Sequence, residues 1–369
     1  MADSPSSVLL AGGGSAGHVS PLLALADTLR ARDPRMTITA LGTATGLEAR
    51  LVPDRGYPLR TIPKVPLPRK PSGDLARLPR NLKAAVDAAG AAIDDTGAQV
   101  VVGFGGYVST PAYLAARRRG VPIVIHEQNA RAGLANRLGA RMTRYVGVTF
   151  PITKLAHSRV VGMPLRPEIT HFDRAALRGE ALAAYGLDEG RPTLLVTGGS
   201  LGAARLNAAM QQAGPDLLAR GIQVLHLTGA GKDFPEPEPV DGARYVVRQY
   251  ADRMEFAYAV ADLALVRAGA NTVCELTAVG LPGVYVPLPI GNGEQRLNAT
   301  DVVAAGGGLL IDDAALTPDR VRADVAGLLL DRARLATMQA AAAGAGERGG
   351  DQLLADLVDE AFASRKGTS

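Results

Sequence analysis

Residues 267–299 read RAGANTVCELTAVGLPGVYVPLPIGNGEQRLNA, and the order of residue types around this stretch decides the fold. The apolar run at residues 263–266 is typical of a buried strand, and the small residues 268–270 predict a tight turn. Beyond an intervening helical stretch, residues 283–287 are again apolar and predict a second strand. Strand, tight turn, helix and strand in this order form the unit of a parallel α/β sheet.

The helix in this unit is expected to begin near Asn271 or Thr272, because both residue types make good N-caps. It should end at Gly280, since Pro282 cannot continue it. The turn before the helix would aim backbone N–H groups and the positive end of the helix dipole at one point. Such an arrangement suits a phosphate group.

Glu275 lies one turn into that helix, beside the expected phosphate position. A carboxylate repels phosphate, but it can accept two hydrogen bonds from a vicinal diol such as a ribose. Gln295 and Asn298 follow across the next loop with the donors and acceptors that sugar hydroxyls need. The alternative is an ordinary βαβ unit in which Glu275 caps its own helix, because a fold does not imply a function.

A glycine-rich loop near the N-terminus carries Gly12, Gly14 and Gly17, which match the G-x-G-x-x-G pattern of dinucleotide sites. That pattern expects an acidic residue at the end of the next strand, about 20 residues on. Residues 42–46 follow the next predicted strand and contain no acid. A nicotinamide-dependent dehydrogenase is therefore disfavoured.

The same strand and loop pattern occurs twice, because residues 193–202 repeat the pattern of residues 8–17. Further strands are predicted at residues 38–41, 100–102, 123–125, 145–148, 223–227 and 245–247. The first loop should lead into a helix over residues 20–29, with Pro21 in its first turn. Two such halves predict two similar domains, each with a loop facing a shared cleft.

The glycine and proline residues at 162–167 predict the hinge between the two domains. We therefore expect an N-terminal domain at residues 1–163 and a C-terminal domain at residues 164–349. A last helix at about residues 350–369 is expected to pack back on the N-terminal domain.

The bulk composition narrows the class of protein. A chain of 369 residues is long enough for two domains, and its net charge of +4 fits an anionic ligand. The absence of Trp and the few aromatic residues argue against a nucleic-acid partner. Cys274 is the single cysteine, so a disulfide framework and a cysteine zinc cluster are excluded. With a polar start and no long apolar run, we expect a cytoplasmic protein.

Residues 62–93 mix basic and apolar side chains. The basic residues are Lys64, Arg69, Lys70, Arg77, Arg80 and Lys83, and the apolar ones are Val65, Leu67, Leu75, Leu78 and Leu82. Such a mixture can dock on an anionic bilayer surface without entering it. The alternative is a solvated segment in which Leu75, Leu78 and Leu82 face the core at helical spacing.

Six motifs taken in order give the chain a family resemblance: GGGSAGH, GFGGYVS, HEQN, GGSLGA, AGANTVCE and GEQRLNA. The ordered set resembles the MurG family of inverting glycosyltransferases, which move N-acetylglucosamine from its UDP donor (UDP-GlcNAc) onto lipid I to make lipid II. The resemblance covers nearly the whole chain. It implies an α/β fold of GT-B type, with two Rossmann-like doubly wound domains facing a cleft. The N-terminal domain would take the acceptor, and the C-terminal domain would take the donor nucleotide.

The resemblance also implies roles for individual residues. The donor diphosphate would be held by Ser200, Leu201, Gly202, Ala270, Asn271 and Thr272. The remaining donor contacts would be Glu275 for the ribose, Tyr250 and Ala251 for the uracil, Glu294 and Gln295 for the transferred sugar, and Arg166 for the nucleotide. The resemblance also implies five further residues in the cleft or in the glycine-rich loop: Ser15, Ala16, Gly17, Asn129 and Asn207. The acceptor side would include His18, Gly106, Tyr107, His126 and Glu127.

The sugar hydroxyl of lipid I is a poor nucleophile and needs a base as it attacks the anomeric carbon. His18 is the leading candidate, because imidazole titrates near neutral pH and this residue follows a glycine-rich loop. Glu127 is the rival and His126 the third choice, and for either histidine the alternative is a buried structural role. The sequence contains no Asp-x-Asp pair for a nucleotide-bridging divalent ion, so no metal and no further cofactor is expected.

The expected partners are therefore UDP-GlcNAc, lipid I and the anionic lipid of the cytoplasmic membrane surface. The expected location is peripheral, on the cytoplasmic face of the bacterial cell membrane, with cell-wall synthesis and division proteins as possible partners. Other hypotheses are a glycosyltransferase for another lipid or natural-product acceptor, a UDP-GlcNAc epimerase, and a non-catalytic nucleotide-sugar sensor.

Overall fold

The computed structural model of the chain describes residues 4–65, 73–199 and 202–366. The chain divides into two compact units. Unit 1 comprises Met1–Arg166 together with Arg348–Ser369, and unit 2 comprises Pro167–Glu347.

Unit 1 alternates strands and helices. Its strands are β1 Ser7–Ala11, β2 Thr37–Gly42, β3 Leu59–Thr61, β4 Val100–Gly103, β5 Ile123–Glu127, β6 Tyr145–Val148 and β7 Ser158–Val160. Its helices before the crossing to unit 2 are α1 Ala16–Arg32, α2 Glu48–Asp54, α3 Gly73–Thr96, α4 Gly106–Arg118 and α5 Leu134–Gly139.

These strands form one parallel sheet in the order β3-β2-β1-β4-β5-β6-β7. Both faces of the sheet are covered, because alternate residues of β1 enter different cores. Val8 and Leu10 belong to the core that includes α1, whereas Leu9 and Ala11 belong to the core under α3 and α4. A strand buried on both faces reads as a continuous apolar run, which explains why β1 was evident from sequence.

Unit 2 repeats this plan. Its strands are β8 Thr193–Thr197, β9 Gln223–Leu227, β10 Tyr245–Arg248, β11 Leu263–Val266, β12 Gly283–Tyr285 and β13 Gly308–Leu310. Its helices are α6 Pro167–Thr170, α7 Arg174–Tyr185, α8 Ala204–Ala219, α9 Met254–Val260, α10 Ala270–Ala278, α11 Glu294–Asn298, α12 Thr300–Ala304, α13 Pro318–Arg320, α14 Ala326–Leu330 and α15 Arg332–Gly344. Asp313–Ala315 forms a 3₁₀ turn and Val321–Val325 a π-helical turn.

The second sheet has the strand order β10-β9-β8-β11-β12-β13, and all its pairs are parallel. In both units the strand order reverses at the first strand of the unit, between β1 and β4 and between β8 and β11. Open α/β sheets bind ligands in the crevice at this reversal, beyond the carboxyl ends of the strands.

Two expected helix starts were wrong. Helix α1 begins at Ala16 with Ser15 as its N-cap, so Pro21 lies inside the helix and not in its first turn. Helix α10 begins at Ala270 after Gly269, so Asn271 lies in the first turn and is not the cap. In both cases the small residues of the glycine-rich turn take up the helical conformation earlier than their propensity suggests, since tertiary packing overrides propensity.

Helix α16, Gly350–Lys366, follows unit 2 in the chain but packs on unit 1. Its Leu354 and Val358 enter the same core as α1. Thr28 Oγ1 donates to Asp351 Oδ2 over 2.7 Å, and Arg32 contacts Asp356 over 2.8 Å. None of the helices in the described ranges is long and apolar enough to span a membrane.

The basic and apolar segment is only partly described. Leu78 and Leu82 pack against the core under α3, as the alternative for this segment required, while Arg80 and Lys83 are exposed. Lys83 pairs with Asp87 one turn on, over 2.6 Å. Lys64 is exposed, and Val65 is buried in the same core. Five further residues named for membrane docking fall outside the described residues, wholly or for their side chains: Leu67, Arg69, Lys70, Leu75 and Arg77.

Candidate functional site

The glycine-rich turn after β8 lies at the strand-order reversal of unit 2. Gly202 has φ +65, and a Cβ there would meet the Thr228 carbonyl oxygen at 2.1 Å, so only glycine fits. The Gly202 N–H donates to the Gly199 carbonyl over 2.8 Å, which closes the turn before α8 begins. Ser200 and Leu201, the other expected diphosphate contacts, lie outside the described residues.

The turn after β11 lies at the neighbouring position, because β8 and β11 are paired. Gly269 precedes α10 without any side-chain cap, and Ala270, Asn271 and Thr272 form the first turn of the helix. The N–H groups of a first helical turn have no partner within the helix. Two turns of adjacent parallel strands thus bring two helix N-termini to one edge of the sheet, which is where a diphosphate is favoured.

Glu275 is half-buried on α10, and a tyrosine from α9 holds it in place. The Tyr258 hydroxyl donates to Glu275 Oε2 over 2.6 Å, and Tyr258 is 2% exposed. A hydrogen bond from a neutral phenol to an ionised carboxylate is short and strong. The sequence did not reveal Tyr258, because its partner Glu275 lies on the next helix, 17 residues further along the chain.

The loop after β12 positions two residues expected to contact the sugar. Gln295 Oε1 accepts from the Leu288 N–H over 2.9 Å, so its amide NH₂ is the end that remains to donate. Glu294 instead caps its own loop, accepting from the Asn292 N–H over 3.2 Å. Asn298 is buried and donates to the Ala268 carbonyl over 3.2 Å, which ties this loop to the turn before α10.

A buried ion pair fixes the two turns of unit 2 relative to each other. Arg267, directly after β11, contacts Asp313 through Nη1 over 2.6 Å. The same carboxylate contacts Arg205 Nε in the first turn of α8 over 2.8 Å. Asp313 therefore links the segments that follow β8 and β11, and the sequence carried no signal for this role.

The remaining residues expected on the nucleotide side are distributed differently. Tyr250 is 51% exposed, and its hydroxyl accepts from the Ala230 N–H over 3.2 Å. Ala251, the next residue, is half-buried. Asn207 is buried and donates to the Thr228 carbonyl over 3.1 Å, while its Oδ1 contacts His226 Nε2. Asn207 thus links α8 to β9 and the residue that follows it, and its expected position in a cleft stays a prediction. Arg166 is half-buried at the end of the first segment of unit 1.

In unit 1, His18 lies on the first turn of α1, beyond the glycine-rich turn that follows β1. Its Nδ1 is 2.9 Å from Ser15 Oγ. Ala16 and Gly17 are the first two residues of the same helix. Burial lowers the pKa of His18 to about 4, against a smaller opposing effect of Glu48, so the imidazole is neutral at pH 7.

The turn before His18 is occupied by an internal carboxylate. Glu48 is fully buried, and its Oε2 accepts from the Gly14 N–H over 2.9 Å. Its Oε1 accepts from the N–H and the hydroxyl of Thr43, over 2.9 and 2.7 Å. Sequence reasoning sought an acid directly after β2 and missed Glu48, which opens the next helix. A signal was present, because acids are favoured in the first turn of a helix.

The segment after β5 is organised by Glu127. Its Oε1 accepts from the Asn129 N–H over 2.9 Å, and its Oε2 accepts from the Gly133 N–H and Asn136 Nδ2, both over 3.0 Å. Burial raises the pKa of the Glu127 carboxyl, although these hydrogen bonds oppose the rise. Because both oxygens already accept N–H groups, this side chain fixes a loop and has little capacity left to accept a substrate proton.

His126 is fully buried on β5. Its Nε2 lies 2.9 Å from the Gly162 carbonyl, and its Nδ1 lies 3.1 Å from Gln128 Nε2. Burial lowers its pKa to about 4. With both nitrogens engaged inside the core, the geometry favours the structural role that was the alternative for this histidine.

Tyr107 and Gly106 begin α4 beside the first turn. A Cβ on Gly14 would lie 3.1 Å from the Tyr107 hydroxyl, and the Lys64 ammonium lies 5.3 Å from the centre of the Tyr107 ring.

Within the described ranges, no group of three or more His, Cys, Asp or Glu side chains is placed to hold a metal ion.

Comparison with known proteins gives the same picture for both units. Residues 8–148 match the glycosyltransferase family 28 N-terminal domain, and residues 193–354 match the glycosyltransferase family 28 C-terminal domain. A protein from Nocardioides sp. is 57% identical, covering 96% of this chain and 97% of its own. Another from Streptomyces avermitilis is 56% identical, covering 97% and 99%. Both carry the name UDP-N-acetylglucosamine–N-acetylmuramyl-(pentapeptide) pyrophosphoryl-undecaprenol N-acetylglucosamine transferase.

Among solved structures, MurG from Acinetobacter baumannii is similar, with 30% identity and a TM-score of 0.76 over 96% of this chain and 99% of that one. The two parallel sheets with Rossmann-type strand order are those of the GT-B fold, as the sequence predicted. The chain therefore belongs to glycosyltransferase family 28 and, within it, to the MurG family.

Proposed function

We propose that this protein transfers N-acetylglucosamine from UDP-GlcNAc to lipid I, undecaprenyl-pyrophosphoryl-MurNAc-pentapeptide, with inversion at the anomeric carbon, giving lipid II for peptidoglycan synthesis. The observation that carries the proposal is the contrast between the turn after β1 in unit 1 and the turn after β11 in unit 2. The Gly14 N–H of the first turn donates to the internal Glu48 carboxylate, whereas the second leads into α10 through Gly269 with no side-chain cap. Unit 2 is therefore the donor side and unit 1 the acceptor side.

Donor binding follows from the groups gathered in unit 2. The first turns of α8 and α10 supply N–H groups for the diphosphate, with Ser200, Leu201 and Gly202 on one side and Ala270 to Thr272 on the other. Glu275, oriented by Tyr258, accepts from the ribose hydroxyls. Tyr250 and Ala251 face the uracil, and the Gln295 amide NH₂ donates to the transferred sugar. Glu294 contributes through its loop, since its carboxylate already caps Asn292.

His18 is the base in this proposal. It accepts the proton of the attacking sugar hydroxyl at Nε2 while the new carbon–oxygen bond forms and the bond to UDP breaks. For Nε2 to accept, the Nδ1–H must donate to Ser15 Oγ, and the observed 2.9 Å contact permits this. Glu127 and Asn129 shape the acceptor loop, and His126 supports it from the core.

The leaving UDP carries negative charge that must be stabilised as the bond breaks. Two helix N-termini in unit 2 provide this without a metal ion or other cofactor, and Arg166 adds a guanidinium. The turnover should therefore persist in the presence of a strong chelator, which a UDP-release assay with excess EDTA measures.

A surface of α5 supports peripheral binding to anionic lipid. Leu134 and Leu138 are 69% and 36% exposed, Arg137 is exposed on the same helix, and Arg141 is exposed just beyond its end. Exposed leucines flanked by arginines suit the headgroup region of an anionic bilayer. We place this surface on the cytoplasmic face of the cell membrane, where lipid I and the proteins of cell-wall synthesis and division are expected.

A coupled assay of UDP release with UDP-GlcNAc and a water-soluble lipid I analogue tests the proposal. Release that depends on the analogue supports it, whereas release with other acceptors alone, or epimerisation of the donor, supports the alternatives. His18→Asn should lower kcat by at least about 100-fold, since general bases contribute factors of this order. His157→Asn is the matched control, because His157 is exposed and its φ of +59 suits asparagine.

A further inference from the structure

Glu48 is a buried carboxylate that none of the steps above uses. Its pKa is held below the usual range, because hydrogen bonds from Gly14 and Thr43 outweigh the effect of burial, so it is ionised. None of the ion pairs among the described residues includes it. A buried anion without a cationic partner is costly to maintain, and a neutral packing residue would avoid that cost.

The chain is built to admit this carboxylate. A Cβ on Gly13 would lie 2.4 Å from Glu48 Oε1, and one on Gly46 would lie 2.1 Å from Oε2. A Cβ on Gly42 would lie 2.4 Å from Glu48 Cγ. Three segments thus lack side chains at the places where the carboxylate approaches, which makes a cage of glycines around one negative charge.

The cage adjoins the proposed base. Glu48 holds the N–H of Gly14, whose φ is +89, and the next residue, Ser15, is the N-cap of α1 and contacts His18 Nδ1. The position of the imidazole is therefore set by a chain of contacts that starts at the carboxylate. The negative charge also acts on the ring through space, because it opposes the lowering of the His18 pKa by burial.

Other charged and titratable groups surround His18 from the elements packed near it. Tyr107 is on α4, with Lys64 over its ring, and Glu127 ends β5. A Cβ on Gly105 would lie 3.2 Å from His18 Nε2 and 3.3 Å from Asn136 Nδ2, so the Glu127–Asn136 pair reaches the same place. Of the charged groups, Glu48 is the one whose electrostatic effect on His18 opposes that of burial.

We propose that Glu48 is a positioning residue for the transfer reaction. It fixes the turn that carries Ser15 and His18, and its charge stabilises the imidazolium that forms when Nε2 accepts the proton of the acceptor hydroxyl. The proposal rests on the proposed function, in which His18 is the base. It also accounts for the closed turn of unit 1, since the carboxylate occupies the N–H group that a phosphate would otherwise bind.

The test compares Glu48→Gln with Thr43→Val. The amide of Gln cannot accept from both Gly14 and Thr43, and it removes the charge, whereas valine at 43 removes one hydroxyl donor and leaves the charge in place. For Glu48→Gln we expect kcat to fall about tenfold or more, the KM for UDP-GlcNAc to stay within about twofold, and the acidic limb of kcat/KM to move to lower pH. For Thr43→Val the pH profile should match the wild type.

A histidine-selective NMR titration tests the same inference without a turnover assay, because the shift of the His18 resonance with pH is measured on the folded protein. The His18 resonance should titrate at lower pH in Glu48→Gln than in wild type and at an unchanged pH in Thr43→Val. An unchanged His18 titration and an unmoved acidic limb in Glu48→Gln would reduce Glu48 to a structural tie and overturn the inference. Wild-type turnover in His18→Asn would instead refute the assignment of the base, whatever Glu48 does.

Discussion

Removal of a single hydroxyl from Tyr258 should weaken binding of the donor nucleotide. The Tyr258 hydroxyl lies 2.6 Å from Glu275 Oε2, in a part of unit 2 where the tyrosine is 2% exposed. In Tyr258→Phe the ring and its packing remain, and the carboxylate loses the donor that fixes its rotamer. If Glu275 accepts from the ribose hydroxyls, loss of the Tyr258 donor should lower the affinity for UDP.

The size of the effect follows from the type of bond. A hydrogen bond to a charged group contributes about 1.5–3 kcal/mol. Each 1.4 kcal/mol corresponds to a factor of about ten in a dissociation constant. Because the Glu275 carboxylate can still turn towards the ribose in the variant, we expect the lower end of this range, a rise of about tenfold in the Kd for UDP.

Isothermal titration with UDP and with 2′-deoxy-UDP measures this effect. Wild type should prefer UDP, and Tyr258→Phe should lose most of that preference as well as affinity. Tyr245→Phe is the matched control, because it also removes one buried hydrogen bond from unit 2, the 2.7 Å contact with His226 Nδ1. It should lower stability and leave the preference for UDP intact.

The reasoning would be refuted if Tyr258→Phe bound UDP as tightly as wild type and kept the full preference over 2′-deoxy-UDP. Glu275 would then either hold its position without the tyrosine or have no contact with the ribose. A Glu275→Gln variant separates these cases, because it should lose the preference only if the carboxylate is the ribose contact.

Three further predictions concern stability and membrane binding. Asp313→Asn leaves the buried Arg267 guanidinium without its counter-charge, so the free energy of unfolding in urea should fall by about 3 kcal/mol. Burial lowers the pKa of His226 to about 3, below the value of about 6.5 in unfolded chains, so the folded state binds fewer protons and stability is lost as pH falls from about 6.5. His226→Gln should therefore flatten the dependence of urea stability on pH between about 4 and 6.5. Leu134→Ser should weaken flotation with anionic vesicles, whereas Ile290→Ser, at a similarly exposed position of unit 2, should not.

Each of these has an outcome that contradicts it. Equal urea midpoints for wild type and Asp313→Asn would show that the ion pair adds nothing to stability. A pH slope unchanged in His226→Gln would assign the acid sensitivity to other groups. Equal flotation of the Leu134 and Ile290 variants would remove α5 from the membrane surface.

Much of the fold was predictable because its central strands are buried on both faces. Apolar runs marked β6 and β11 to the residue, and β9 had the expected bounds although Gln223 and His226 interrupt its apolar residues. The short edge strands β3, β7 and β13 were missed, because a three-residue strand is defined by pairing with a neighbour and leaves little pattern of its own. The strand predicted over residues 283–287 ends at Tyr285, since Pro287 has no N–H for the ladder.

The candidate site was predictable only in part. Glu275, Gln295 and the glycine-rich turns could be proposed from sequence because each lies in a short motif whose geometry is local. Tyr258, Asp313 and Glu48 were not found, although they hold those motifs in place.

The sequence by itself determined that two α/β halves each begin with a strand and a glycine-rich turn, because apolar runs and glycines act on neighbouring residues. The tertiary structure alone decided that an internal carboxylate closes the turn of unit 1. That closure depends on Glu48, a side chain 34 residues from Gly14, and the two meet only when β1 and β2 pair. The partners of a buried charge come from whichever strands the sheet brings together, and no local pattern records them.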